Sequence, residues 1–187
     1  MTVTTSELRK GLTIMLDGEL YRVTDWAHNK QGRGSAQVRL TLKNLRTGSN
    51  IERSYQAGAK FDDVRLERRE LQFMYNDGDE YNFMDPSTYE QMSLNANLLG
   101  DAVNYFKEND TVDVLLHGEE FVDIDMPAAV VLTVTNSDPG VKGDTATGAT
   151  KPATLETGLT VNVPLFVNEG DRVKVDTRTG KYLERVS

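Results

Sequence analysis

Leu71-Gln72-Phe73-Met74-Tyr75-Asn76-Asp77-Gly78-Asp79-Glu80-Tyr81-Asn82-Phe83-Met84 sets two aromatic-rich runs on either side of a turn made of Asn, Asp and Gly. Aromatic side chains suit the pleated, half-buried surface of a strand, and Asp-Gly between two such runs is a strong short-range hairpin signal. The arrangement recurs along the chain. Val112-Asp113-Val114-Leu115-Leu116 and Phe121-Val122-Asp123-Ile124 flank His117-Gly118. Leu20 to Trp26 and Ala36 to Leu42 alternate in polarity, and Asp17-Gly18 and Thr47-Gly48 have turn composition. Short alternating runs with regular turn signals predict an all-β chain built of barrels or sandwiches.

Two stretches read as helical. Ser6 to Gly11 looks like a capped single turn closed by glycine. Asn97 to Asn109 places Leu98, Leu99, Ala102, Val103 and Phe106 on one helix face. One short helix among strands suits an OB-like barrel.

A chain of 187 residues holds one large domain or two to three small ones. Charge divides it. The formal balance is +3 over residues 1–64, −11 over 65–127 and zero over 128–187. Boundaries are therefore expected near Asp62-Asp63-Val64 and Met126-Pro127, giving domains 1–64, 65–127 and 128–187. A net charge of −8 argues at first against nucleic acid, but nearly all of it lies in the middle segment, so the outer segments can approach phosphate. The third segment has a long polar stretch, Thr135 to Thr160, expected to be a loop of the functional kind. No run approaches the roughly 20 apolar residues of a membrane helix. The first residues lack the basic head and apolar core of an export signal, so a cytoplasmic location is expected. With no cysteine, disulfides, thiolate metal sites and cysteine nucleophiles are excluded.

Asn29-Lys30-Gln31-Gly32-Arg33-Gly34-Ser35 lies between two alternating runs and is expected to be a protruding hairpin loop. Glycines on both sides of Arg33 leave no bulk beside the guanidinium, which at a slim tip could enter a narrow polyanionic cavity and grip phosphate or sugar oxygens. Gly-Arg-Gly by itself also suits an ordinary turn. No Lys-Ser/Thr pair follows, so this is not a nucleotide phosphate loop. His28 flanks the tip as a loop brace or RNA contact, and His117 reads as a turn residue. The small polar residues of Asp138 to Thr145 could lie along sugar-phosphate or base edges, and Tyr182 and Arg185, near the C-terminus, suit stacking and phosphate contact. No nucleophile, base and orienting acid stand together, and the carboxylates of residues 108–125 lack an ion-loop pattern. No catalytic residue, cofactor or metal is expected.

Lys151-x-Ala153-x4-Gly158-Leu159-Thr160-Val161-Asn162-Val163-Pro164-Leu165-Phe166-Val167-x2-Gly170 resembles the third-domain signature of bacterial elongation factor P. Asp138 to Thr145, Lys174 to Tyr182, the tip hairpin and Asn82-Phe83-Met84-Asp85 are also similar, so the resemblance covers essentially the whole chain. It implies three small barrels in an L shape, an SH3-like (KOW-like) first domain and two OB-folds. It implies a non-enzymatic, monomeric factor that binds the 70S ribosome between the P and E sites, beside P-site peptidyl-tRNA. The tip, with Arg33 at its apex and Lys30, Gln31, Gly32, Gly34 and Ser35 around it, would reach the tRNA's CCA end and stimulate peptide bonds at polyproline stalls. Gly143, Asp144 and Thr145 would face the E-site region and messenger, and Tyr182 and Arg185 tRNA or the small subunit. Where many members carry a lysine that is enzymatically extended, this chain has Arg33. That excludes lysine-type modification and leaves open rhamnosylation by an arginine-modifying glycosyltransferase, or no modification. An elongation-factor-P-like paralogue and a general single-strand nucleic-acid-binding OB protein are the alternatives.

Overall fold

A computed structural model describes residues 1–29, 36–140 and 148–187. The chain divides into two compact units, residues 1–68 with 115–123, and residues 69–114 with 124–187.

In the first unit, β1 (Thr2–Thr4), β2 (Thr13–Leu16), β3 (Glu19–Asn29), β4 (Gln37–Asn44), β5 (Asn50–Gln56) and β6 (Lys60–Asp63) form one sheet in the order β1-β6-β2-β3-β4-β5. β2 and β3 meet at the expected Asp17-Gly18 turn, where both residues have positive φ, 52° and 80°. That pair of angles matches the right-handed twist of the two strands. Leu8, Ile14, Val23, Val38, Leu40, Leu42 and Phe61 make the core, with Tyr55 edge-on to Phe61 at 4.9 Å. Ser6 to Gly11 forms a turn rather than a helix. Its cap lies two residues ahead of Ser6, where the Glu7 carboxylate accepts from the Thr4 N–H and hydroxyl at 2.8 and 2.9 Å. Charged pairs tie the 115–123 segment to this sheet, Arg22 to Asp123 at 3.1 Å and Arg46 to Glu120 at 3.0 Å.

The next strands are β7 (Glu67–Asp77), β8 (Glu80–Met84), β9 (Gln91–Asn95), β10 (Thr111–His117) and β11 (Glu120–Asp125), in the order β11-β10-β7-β8-β9. Between β9 and β10 lie α1 (Ala96–Leu99) and a 3-10 turn over Gly100–Asn104. The helix expected to reach Asn109 stops early. Gly100 takes φ 56°, ψ −135°, which ends the α-helical path. Tyr105 and Phe106 then go to different clusters. Phe106 meets Phe73 at 5.0 Å and Phe83 at 5.7 Å, whereas Tyr105 joins Leu132, Val134 and Val161. Adjacent residues filling separate apolar clusters do not make the single stripe of an amphipathic helix.

The third sheet contains β12 (Ala129–Ser137), β13 (Thr150–Leu155), β14 (Thr160–Pro164), β15 (Arg172–Asp176) and β16 (Tyr182–Val186), in the order β14-β13-β12-β15-β16. β14 and β16, at its two edges, also approach one another, as in a closing barrel. Of the stretch expected as a loop from Thr135 to Thr160, residues 135–137, Thr150–Leu155 and Thr160 are strand, and 141–147 lie outside the described residues. β12 continues to Ser137 and pairs with β13, Ser137 opposite Ala153. Val134, Ala153, Leu155 and Val161 are the reason, since their side chains enter the core between polar neighbours.

Candidate nucleic-acid interface

β3 and β4 stay paired to Asn29 opposite Gln37, and Lys30 to Ser35 fall between those residues in sequence. The tip residues Lys30, Gln31, Gly32, Arg33, Gly34 and Ser35 lie outside the described residues. The hairpin leading to them has a third strand. β5 follows β4 to the same level, with Gln37 opposite Gln56 and the Ala57 N–H donating to the Ala36 carbonyl at 2.8 Å. A two-stranded ribbon alone is marginal in water, so β5 stiffens the base. Thr24 to Asn29 are all exposed and, at about 3.3 Å per residue, span roughly 20 Å.

The register shifts between Val23 and Asp25, so Thr24 is an extra residue in β3. Beyond this bulge Trp26 is opposite Leu40 and His28 opposite Val38. Directly opposed residues share a face, so Trp26 and His28 lie on the face that Leu40 and Val38 bury. Their rings stand edge-to-face, 5.0 Å apart at 87°. Asp25, one residue before, is paired with Lys10 at 3.1 Å. The Lys10 ammonium, with the Trp26 N–H, holds the Asp25 carboxyl below its ordinary range.

Gly143, Asp144 and Thr145 also lie outside the described residues, but the chain leading to them is anchored. Lys151 is buried, and its Nζ donates to the Asp138 carbonyl at 2.7 Å. Gly140 lies so near β14's end that a Cβ on it would stand 2.8 Å from the Leu165 carbonyl oxygen. Lys151→Met keeps the stem but leaves that carbonyl without its charged donor. We expect about 1–3 kcal/mol lower stability by urea unfolding, with faster amide exchange at Gly140; an unchanged or raised urea midpoint would mean the buried ammonium is a net burden.

Tyr182 and Arg185 share β16 but differ in environment. Tyr182 is half-buried against the core. Arg185 is committed within the protein, 3.5 Å from Asp171, with its guanidinium 5.2 Å from the centre of the exposed Phe166 ring. Sequence reading missed Trp26, Phe166 and the Lys151 anchor. Trp26 carried a signal, its spacing of two from His28, but alternation from Leu20 hides the bulge. Among the described residues no three His, Asp or Glu groups converge to hold a metal ion, and no helix is long and apolar enough to cross a membrane.

The family models for the elongation factor P KOW-like domain, OB domain and C-terminal domain match residues 4–61, 66–124 and 130–185. "Elongation factor P" of Pelotomaculum thermopropionicum is 52% identical over 184 residues, covering 98% of this chain and 100% of the relative. Its namesake from Moorella thermoacetica is 51% identical over 183 residues, covering 98% and 99%. Among solved structures, "Eukaryotic translation initiation factor 5A from Methanococcus jannaschii" has a TM-score of 0.55 at 22% identity, covering 67% of this chain and 92% of that one, a likeness of fold. The all-β reading, with a KOW-like domain and OB-folds, and the resemblance drawn from Lys151 to Gly170 agree with these matches. The chain belongs to the elongation factor P family.

Proposed function

We propose that this chain binds the 70S ribosome between the P and E sites and stimulates peptide bond formation beside peptidyl-tRNA, above all at polyproline stalls. It does so as three domains, 1–64, 65–127 and 128–187, acting in the cytoplasm as a monomer. The observation that carries the reading is the three-stranded extension of β3, β4 and β5, paired as far as Asn29, Gln37 and Gln56. From Trp26 to Ile51 the sequence has no Asp or Glu but contains Lys30, Arg33, Arg39, Lys43 and Arg46. In a chain of net charge −8, such a stretch suits a polyanionic surface.

The chemistry asked of it is positioning. Proline fixes its own φ and restricts its neighbour, so a Pro-Pro junction holds ester and amine away from attack geometry. A stiff arm gripping the CCA end restores alignment without supplying an acid or base. Gly143, Asp144 and Thr145 serve the E-site messenger. Tyr182 and Arg185 act at tRNA or ribosomal RNA, with Arg185 exchanging Asp171 for phosphate. Arg33 acts either bare or after glycosyl transfer to its guanidinium.

A reconstituted translation system reading a Pro-Pro-Pro message tests this. Added protein should raise full-length yield several-fold and leave a proline-free message unchanged. Equal stimulation of both messages, or of neither, would refute the proposal.

A further inference from the structure

In the first unit Arg22, Arg39, Arg46 and Arg53 each pair with a carboxylate. Arg9 and Arg65 have no acidic partner among the described residues, and Arg65 reaches the Met1 sulfur at 4.0 Å. Both are exposed, and both line one open cleft of about 420 Å³. Asp63 lines it too and has no cation partner among the described residues. The half-buried Leu12, Leu66 and Leu115 complete an apolar inner part. Every lining residue belongs to the first compact unit. Opposite charges that share a cleft without pairing are left available to a third group.

We infer that this cleft binds a small organic phosphate of mononucleotide size. Its volume of about 420 Å³ falls within the range of small-molecule sites, which join apolar walls to a few convergent polar groups. A phosphate monoester carries close to two negative charges and three terminal oxygens near neutral pH, enough to engage the guanidinium forks of Arg9 and Arg65 together. The leucines give its organic body apolar contact, and Asp63 accepts from a hydroxyl or amine on it. A lone carboxylate would fill one fork and leave the other empty. A continuous RNA strand would carry further phosphates against Asp63 and against Asp123, which already holds Arg22 at 3.1 Å. The cleft shares no residue with those assigned to the ribosome above.

Two-dimensional amide NMR spectra of the whole protein read the site, with adenosine 5′-monophosphate, inorganic phosphate and oligouridylate as probes. The mononucleotide should move the Gly11 and Leu66 amides saturably at millimolar concentration, and inorganic phosphate should bind several-fold more weakly. Arg9→Met and Arg65→Met, both at exposed positions, should each weaken the mononucleotide on the order of 10-fold. Asp63→Ala should lower the ratio of mononucleotide to phosphate affinity, a readout that a loss of stability alone would not move. A melting curve establishes that each variant is folded. The inference is overturned by no saturable shift at these amides, by equal affinity for phosphate and mononucleotide, or by wild-type affinity in both arginine variants. Tighter binding of oligouridylate than of the mononucleotide at the same amides overturns it as well, since the cleft would then take a strand.

Discussion

Arg33→Ala should abolish relief of polyproline stalling while leaving the melting temperature unchanged. Arg33 sits between Gly32 and Gly34 in a chain whose family membership is shown over nearly its full length. The proposed role is to hold a nucleotide end through the planar fork of the guanidinium, which gives paired hydrogen bonds in fixed geometry. Misplacing reacting groups by about 1 Å costs on the order of 10²-fold in rate, so losing the grip should return the Pro-Pro-Pro step close to its unassisted rate. Arg33→Lys separates charge from geometry. It keeps the positive charge but loses the fork, and should recover ribosome association more than it recovers rate. Peptide yield and pull-down on ribosomes measure the two effects. Full activity in Arg33→Ala would move the function elsewhere on the extension.

Phe83→Ala should be the most damaging single truncation in the second sheet. Phe83 has 0% exposure, lies opposite Phe73 across β7 and β8, and touches Phe73 and Phe106 with ring centroids 5.4 and 5.7 Å apart. Removing a buried phenyl ring typically costs about 3–5 kcal/mol, from lost transfer energy plus the cavity left behind. Phe83→Leu keeps most of the volume and should cost less than half as much. Urea unfolding followed by tyrosine and far-ultraviolet signals would separate them. A loss of less than about 1 kcal/mol in the alanine variant would mean that the aromatic cluster closes over the gap.

Strands and turns were legible because their signals are local. Asp17-Gly18, Asp77-Gly78 and His117-Gly118 mark turns whose glycines take φ of 80°, 60° and 63°. The Asn97 to Asn109 segment was misjudged because apolar spacing cannot say which cluster each side chain enters. Tyr105 and Phe106 are neighbours in sequence and members of different cores. The two ends of the polar Thr135 to Thr160 stretch were misjudged for a related reason, since small threonine-rich strands carry little hydrophobic contrast. Arg33 drew notice through its flanking glycines and the Gly143 to Thr145 triplet through its small polar surroundings, and family pattern alone suggested what each would face. Trp26 escaped notice because its orientation depends on a register shift three residues into the alternating run, and a strand's period carries no mark of where an extra residue is inserted.

That extra residue makes the outer arm a matter of chain length more than of residue type. Thr24 is solvent-facing and bonds to the Thr41 carbonyl at 3.0 Å, so serine or asparagine can replace it at little cost. Deleting it leaves Asp25 opposite Thr41 and Trp26 opposite Leu40, so each side chain keeps its surface, but the local bend and twist that a bulge adds are lost. Over generations, then, point changes at this position would leave the strand as it is, whereas a lost codon would straighten β3 beyond Val23.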